Sequence, residues 1–281
     1  MSVRFRLPAP VSKSPSRQQS ISGMGVTRSR NERVEIMPAG EAHATRKLKV
    51  WDLPTRMFHW SLLALILVSW FSGGEDESAG IHRLSGMLLC GLIVFRTVWG
   101  FAGGEHSRFA AFFPNPARII SHLRKVATGT PERHLGHNPV GGVAVFLLLG
   151  AVSVCIFTGL MSSGEGLTGP LAGYAPFEMS NVHELAFRAL QALVVLHLIG
   201  VALESWLAKD GLVPAMITGR KIRGAGEPGE HARLGSVAGL VLAVALGAGA
   251  TVFLLSLPEP SRNWADEGAC EWRGEKLRCD D

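Results

Sequence analysis

The sequence predicts an all-α integral membrane protein, a four-helix transmembrane bundle with one extra C-terminal transmembrane helix, on three observations. Apolar residues fill 47% of the 281 positions, and mean hydropathy is positive at +0.22. They gather into five stretches, Phe58–Gly73, Ile81–Phe101, Val140–Met161, Val182–Leu207 and Leu234–Leu257, each long enough for a bilayer core once flanking residues are included. Charged residues, 18% of the chain, are too few to cover five all-round apolar helices in a water-soluble domain.

Residues 1–46 are rich in Ser, Arg and Pro without a sustained apolar period, which predicts a disordered basic segment. Residues 47–224 hold the first four spans, residues 225–257 a linker and the fifth, and residues 258–281 a polar tail. Lys and Arg number eleven before the first span, five in 103–139 and five in 208–233, with none in 73–80 or 162–181. The positive-inside rule therefore puts the N-terminus, the second loop and the fourth loop in the cytoplasm and the tail outside. A basic excess that follows the loops in this way indicates membrane lipid, not nucleic acid, as the partner. Within the second loop, Pro116 opens a segment with Ile119, Ile120, Leu123 and Val126 on one side and Arg118, His122, Arg124 and Lys125 on the other. That pattern predicts a short helix lying in the membrane interface.

Four histidines carry the chemistry. His183 and His197 are fourteen residues apart on one span, a spacing that returns a helix to within about 40° of its starting face after a rise of roughly 21 Å. His59 opens the first span, on the cytoplasmic side, and His82 opens the second, on the outer side. Depth alone then pairs His82 with His183 and His59 with His197. An imidazole in hydrocarbon needs a partner, and two neutral imidazoles facing each other across a bundle suit the iron of a haem. The expected cofactors are thus two haems b stacked across the membrane, with these four side chains as iron ligands. Zinc is disfavoured: no Cys–His cluster lies nearby, and Phe187 stands where a His-Glu-x-x-His motif starting at His183 needs its second histidine. Arg83 and Arg188, level with the outer pair, could bind haem propionates, while Arg96 is expected to snorkel towards the cytoplasm. Gly86, one turn below His82, would let either a flat macrocycle or a neighbouring helix approach.

The strings ValTrpAspLeuProThrArgMetPheHisTrp (50–60), IleHisArgLeuSerGly (81–86), LeuGlyHisAsnProValGlyGly (135–142) and HisGluLeuAlaPhe with LeuHisLeu (183–198) resemble the bacterial cytochrome b-561 family, which includes the cytochrome b subunits of nickel–iron hydrogenases. The similarity covers about residues 47–224. It implies a bacterial inner-membrane bundle with two b haems, ligated by His59, His82, His183 and His197, that exchanges electrons between the quinone pool and another redox protein, periplasmic or membrane-associated. On that reading the chain is an electron-transfer subunit or a quinol-linked oxidoreductase. His137, opening the third span, is the candidate quinone-site residue, with a helix-start or headgroup contact as the plain alternative. The fifth span and the tail have no counterpart in small stand-alone members. Two rival readings remain open: a histidine-dependent transporter or proton-linked carrier, and a membrane anchor with structural haem only.

Cys90 and Cys155 lie within spans as small apolar residues, whereas Cys270 and Cys279 lie in the outward tail, where an oxidising compartment favours a disulfide. Closing that ten-residue loop constrains the unfolded tail by roughly 2–3 kcal/mol. Mass spectrometry of the non-reduced protein is expected to find Cys270 linked to Cys279; free thiols at both positions would overturn the bridge.

Overall fold

The computed structural model describes residues 45–258 except 74–75, 131, 165–166, 225–226 and 228, together with the strand backbones at 26–28, 34–36, 270–273 and 276–279. The expected disorder of residues 1–46 falls mostly outside the described residues. Contacts divide the chain into two units, residues 1–46 with 224–227, and residues 47–223 with 228–281. In the first, β1 (Val26–Arg28) pairs antiparallel with β2 (Val34–Ile36), and Arg46 donates to the Glu227 carbonyl at 2.7 Å. β3 (Thr45–Lys49) forms a two-stranded sheet with β6 (Arg220–Gly224).

The large unit is helical. Its elements are α1 (Leu53–Ser72), α2 (Ala79–Ala102), α3 (Pro116–Ala127), α4 (Pro139–Leu160), α5 (Ser180–Leu207), the short α6 (Leu212–Thr218) and α7 (Val237–Ser256). Small antiparallel ladders join β4 (Ser163–Gly164) to β5 (Leu167–Thr168), and β7 (Cys270–Arg273) to β8 (Lys276–Cys279). Among the described residues, α2, α4, α5 and α7 are long and apolar enough to cross a membrane. α1 has 20 residues but falls outside that set, its first turns diluted by Thr55, Arg56 and His59.

Helix starts follow from their caps. The Asp52 carboxylate accepts from Thr55 N–H at 2.8 Å with Pro54 in the first turn, so α1 begins five residues before the apolar run. Asn115 caps α3 and Asn138 caps α4, each followed by a proline that has no N–H to leave unsatisfied. Gly219 closes α6 at φ +77, and its carbonyl accepts from Val50 and Trp51 just ahead of α1. A Cβ there would sit 2.8 Å from the Trp51 carbonyl, so this left-handed position also requires the close approach that only glycine permits.

α2 is the central helix, packed against α1, α4 and α7, while α4 packs against α5. The α2–α7 seam is built from small residues: Gly239, Ala243, Gly247 and Thr251 recur every four positions along α7, and the first three of them are buried. A Cβ on Gly91 of α2 would come within 2.6 Å of the Gly247 carbonyl, and one on Gly247 within 2.7 Å of the Gly91 carbonyl. Two backbones this close are a membrane packing mode that larger residues forbid.

The same ladder of the tail sets Cys270 directly opposite Cys279, the register a bridge requires; the bond itself concerns side chains outside the described residues. α3 forms where the sequence predicts it and leaves Ile120 and Leu123 exposed, but His122, expected on the watery side, is buried.

Gly247→Val should lower the thermal midpoint in detergent, with a cost of about 1–3 kcal/mol from overpacking. Gly249→Ala, where a Cβ meets nothing within 4 Å, should leave the midpoint unchanged. Equal midpoints for both variants would contradict the seam.

Candidate functional site

His82, in the first turns of α2, and His183, in the first turns of α5, face each other with ring centroids 6.1 Å apart and planes at 87°. Nδ1 of His82 lies 2.8 Å from the Ser69 carbonyl on α1, and Nδ1 of His183 lies 2.9 Å from the Cys155 carbonyl on α4. A carbonyl only accepts, so each Nδ1 carries the proton and donates. Each Nε2 is left as a bare lone pair, the tautomer that binds a metal. Thr158 Oγ1, which donates back to its own helix, adds a second acceptor at 3.2 Å from His183 Nδ1.

The spacing can be tested against the expected group. Two metal–nitrogen bonds of about 2 Å, plus about 1.2 Å from each nitrogen to its ring centre, put two imidazoles sharing one metal about 6.4 Å apart. The observed 6.1 Å matches this span. Glycines make room for the rings: a Cβ on Gly73 would lie 3.2 Å from His82 Cε1, and one on Gly159 would lie 2.9 Å from His183 Cε1. At Gly86 a Cβ meets nothing within 4 Å, so helix packing gives no reason for glycine there.

His59 and His197 are the pair expected at the second level. His59, on α1, meets the Trp60 ring edge-on at 5.1 Å, and His197 lies on α5. The two levels differ in one respect: His59 Nδ1 is sealed from solvent and makes no hydrogen bond among the described residues.

A buried polar network joins the start of α1 to the end of α2 and the loop beyond it. The Asp52 carboxylate accepts from Thr55 N–H, Ser107 Oγ at 2.6 Å, Gly104 N–H at 3.2 Å and Trp99 Nε1 at 3.4 Å. Burial alone would raise its pKa; the bonds from Ser107, Thr55 and Trp99 outweigh that and hold it below the usual carboxylate range. Arg96, expected to snorkel, does reach towards the loop beyond α2, where it donates to the Ser107 carbonyl at 3.1 Å. It ends inside protein, not among headgroups: it is 3% exposed, with its guanidinium 4.7 Å from the centre of the Phe109 ring. His137, just ahead of α4, lies against Trp51 and Phe112 at ring separations of 4.8 and 4.5 Å. Burial first, then the nearby charges of Arg96 and Lys221, push its pKa down to about 3, so it is a neutral ring.

Arg83 lines a cavity of about 130 Å³ with Leu84, Met87, Leu254 and Leu257, on the α7 side of α2. Arg188 is exposed and bonds Glu184 at 2.5 Å, one turn away on its own helix.

Sequence reasoning missed a second buried cluster. Asp210 bonds Lys221 at 2.8 Å and Arg223 at 3.0 Å, and both cations also donate to the His134 carbonyl. Beside it, His122 lies 3.8 Å from Glu204 on α5 and 5.4 Å, ring to ring, from His134. Burial would raise the Asp210 pKa, but the bonds and charges of Arg223 and Lys221 bring it below the ordinary value.

The family model described as prokaryotic cytochrome b561 matches residues 50–219. A protein of Cupriavidus necator named "Probable Ni/Fe-hydrogenase B-type cytochrome subunit" is 27% identical over 208 residues, covering 60% of this chain and 85% of that protein. Proteins of similar name from Bradyrhizobium diazoefficiens and Escherichia coli K12 are 24% and 22% identical, covering 61% and 60% of this chain and 85% and 88% of theirs. No solved structure matches the chain.

Asp210→Asn, which strands two buried cations, should cost about 3–5 kcal/mol at neutral pH. A depressed carboxylate pKa stabilises above the unfolded value of about 3.9 and loses its contribution as pH falls through the folded one. Thermal midpoints of wild type and variant should therefore differ at pH 7 and converge below about pH 4. A difference independent of pH would contradict the ionic account.

Proposed function

Because the chain belongs to the prokaryotic cytochrome b561 family, we propose that it is a membrane b-type cytochrome that carries electrons between the quinone pool and a redox partner through two bis-histidine haems. The observation that carries this reading is the His82–His183 pair, at metal-sharing separation with both Nδ1 protons committed to backbone carbonyls. His59 and His197, one on α1 and one on α5, are the ligands proposed for the second haem. Haem b supplies one-electron redox chemistry when bound.

The residues of the chain supply the rest. Ser69 and Cys155 carbonyls fix the imidazole tautomers and make the ligating nitrogens more basic. Apolar α4 and α5 walls, with Val154, Val195, Leu196 and Ile199 exposed, suit lipid outside and keep water from the bundle. His137, neutral and with no hydrogen bond from its sealed Nδ1 among the described residues, suits a hydrogen bond to a quinone carbonyl. The proposed placement is a bacterial inner membrane, five spans, N-terminus cytoplasmic and tail periplasmic. The relatives' names support a hydrogenase-like redox partner, and the tail side is the face proposed for it.

His197→Ala should remove the haem at the His59 level and leave the other, and His183→Ala should do the converse, so haem per polypeptide drops from about two towards one in each variant. Unchanged haem content in both would sink the pairing. His137→Ala should keep both haem spectra and slow reduction by a quinol; loss of a haem would make it a ligand instead.

A further inference from the structure

The fourteen-residue spacing that relates His183 to His197 on α5 recurs on α2, where the residue fourteen positions after His82 is Arg96. It lies roughly 21 Å deeper than His82 and within about 40° of the same helix face. α2 thus presents a histidine at one level of the bundle and an arginine at the other. Arg96 is 3% exposed, and its guanidinium lies over the Phe109 and Phe58 rings at 4.7 and 5.9 Å, Phe58 being the neighbour of His59. Nη2 is spent on the Ser107 carbonyl, yet Nη1 is sealed from solvent with no hydrogen-bond partner among the described residues. Asp52 is near enough to act on Arg96 by charge, but its oxygens are occupied by Thr55, Trp99, Gly104 and Ser107. A buried guanidinium donor left without an acceptor is costly, and such sites in native proteins mark a missing ion, water or cofactor group.

We propose that Arg96 is the binding site for a carboxylate of the haem held at the His59–His197 level. The assignment rests on the two-haem reading above. A planar guanidinium offers two parallel donors to a carboxylate, and inside an aromatic, water-poor shell that charge-assisted bond is strong. A fixed positive charge at this point favours the reduced state of the adjacent iron, so Arg96 also sets the potential difference between the two levels. The arginines expected at the outer level sit differently: Arg83 lines a cavity on the α7 side of α2, and Arg188 is exposed on α5.

The test is an equilibrium redox titration of the purified protein in detergent, for wild type, Arg96→Gln and Arg96→Lys, with the wave of the His59 level assigned from His183→Ala. The expected result is a lower midpoint potential for that wave alone in Arg96→Gln, with Arg96→Lys in between. A second arm uses wild type and Arg96→Gln refilled with haem whose propionates are esterified. If carboxylate and guanidinium interact directly, substitution and esterification are non-additive on that wave. An unshifted potential in Arg96→Gln with both haems present overturns the assignment, as do additive effects in the second arm. An unshifted potential with slowed quinol reduction overturns it too, and gives Arg96 to the quinone. A wild type with one haem overturns the two-haem reading itself, and is told apart by haem content before any titration.

Discussion

A histidine inside an apolar helix bundle has two ring nitrogens to satisfy, and the rest of this structure depends on how that is done. At one level, His82 and His183 each spend one nitrogen on a carbonyl of a neighbouring helix and turn the other towards the opposite ring. That arrangement recruits α1, α2, α4 and α5 at once, since the two acceptors come from α1 and α4 and the two rings from α2 and α5. The bundle is thereby held by the same groups that the proposed haem would use.

The other end of the bundle is organised by charge. Asp52 ties the start of α1 to the end of α2 and the loop beyond it, and Asp210 ties β6 to the stretch that precedes α4. Both carboxylates are buried and each accepts from several donors, so removing a donor leaves a buried charge under-compensated. These polar anchors contrast with the exposed apolar faces of α4 and α5.

Much of this was legible in the sequence, and the failures have physical causes. Apolar clustering located the helices, because a span must be mostly apolar, and helix arithmetic put His82 and His183 at one depth, where their rings face each other. The start of α1 at Leu53 was signalled by Asp52 and Pro54 but lay ahead of the apolar run. The carbonyl partners of His82 and His183 carry no sequence signal, since any residue at positions 69 and 155 has a carbonyl. His122 was assigned to the watery face because a helical wheel sorts polar residues outward, yet Glu204 and His134 draw it inward. Arg96, expected to snorkel because it lies near the helix end, is held inside protein by Phe109 and the Ser107 carbonyl, partners that position along one helix does not reveal. The four-residue stripe on α7 was visible, but only packing reveals that α2 is its partner.

The central claim, two low-spin haems each held by two imidazoles, is tested most directly on the unaltered protein by haem quantification together with low-temperature electron paramagnetic resonance of the oxidised form. The account predicts about two haems b per polypeptide, both low-spin ferric, as paired neutral imidazoles impose. A single haem, a high-spin signal that reports an open coordination position, or no haem at all would contradict it.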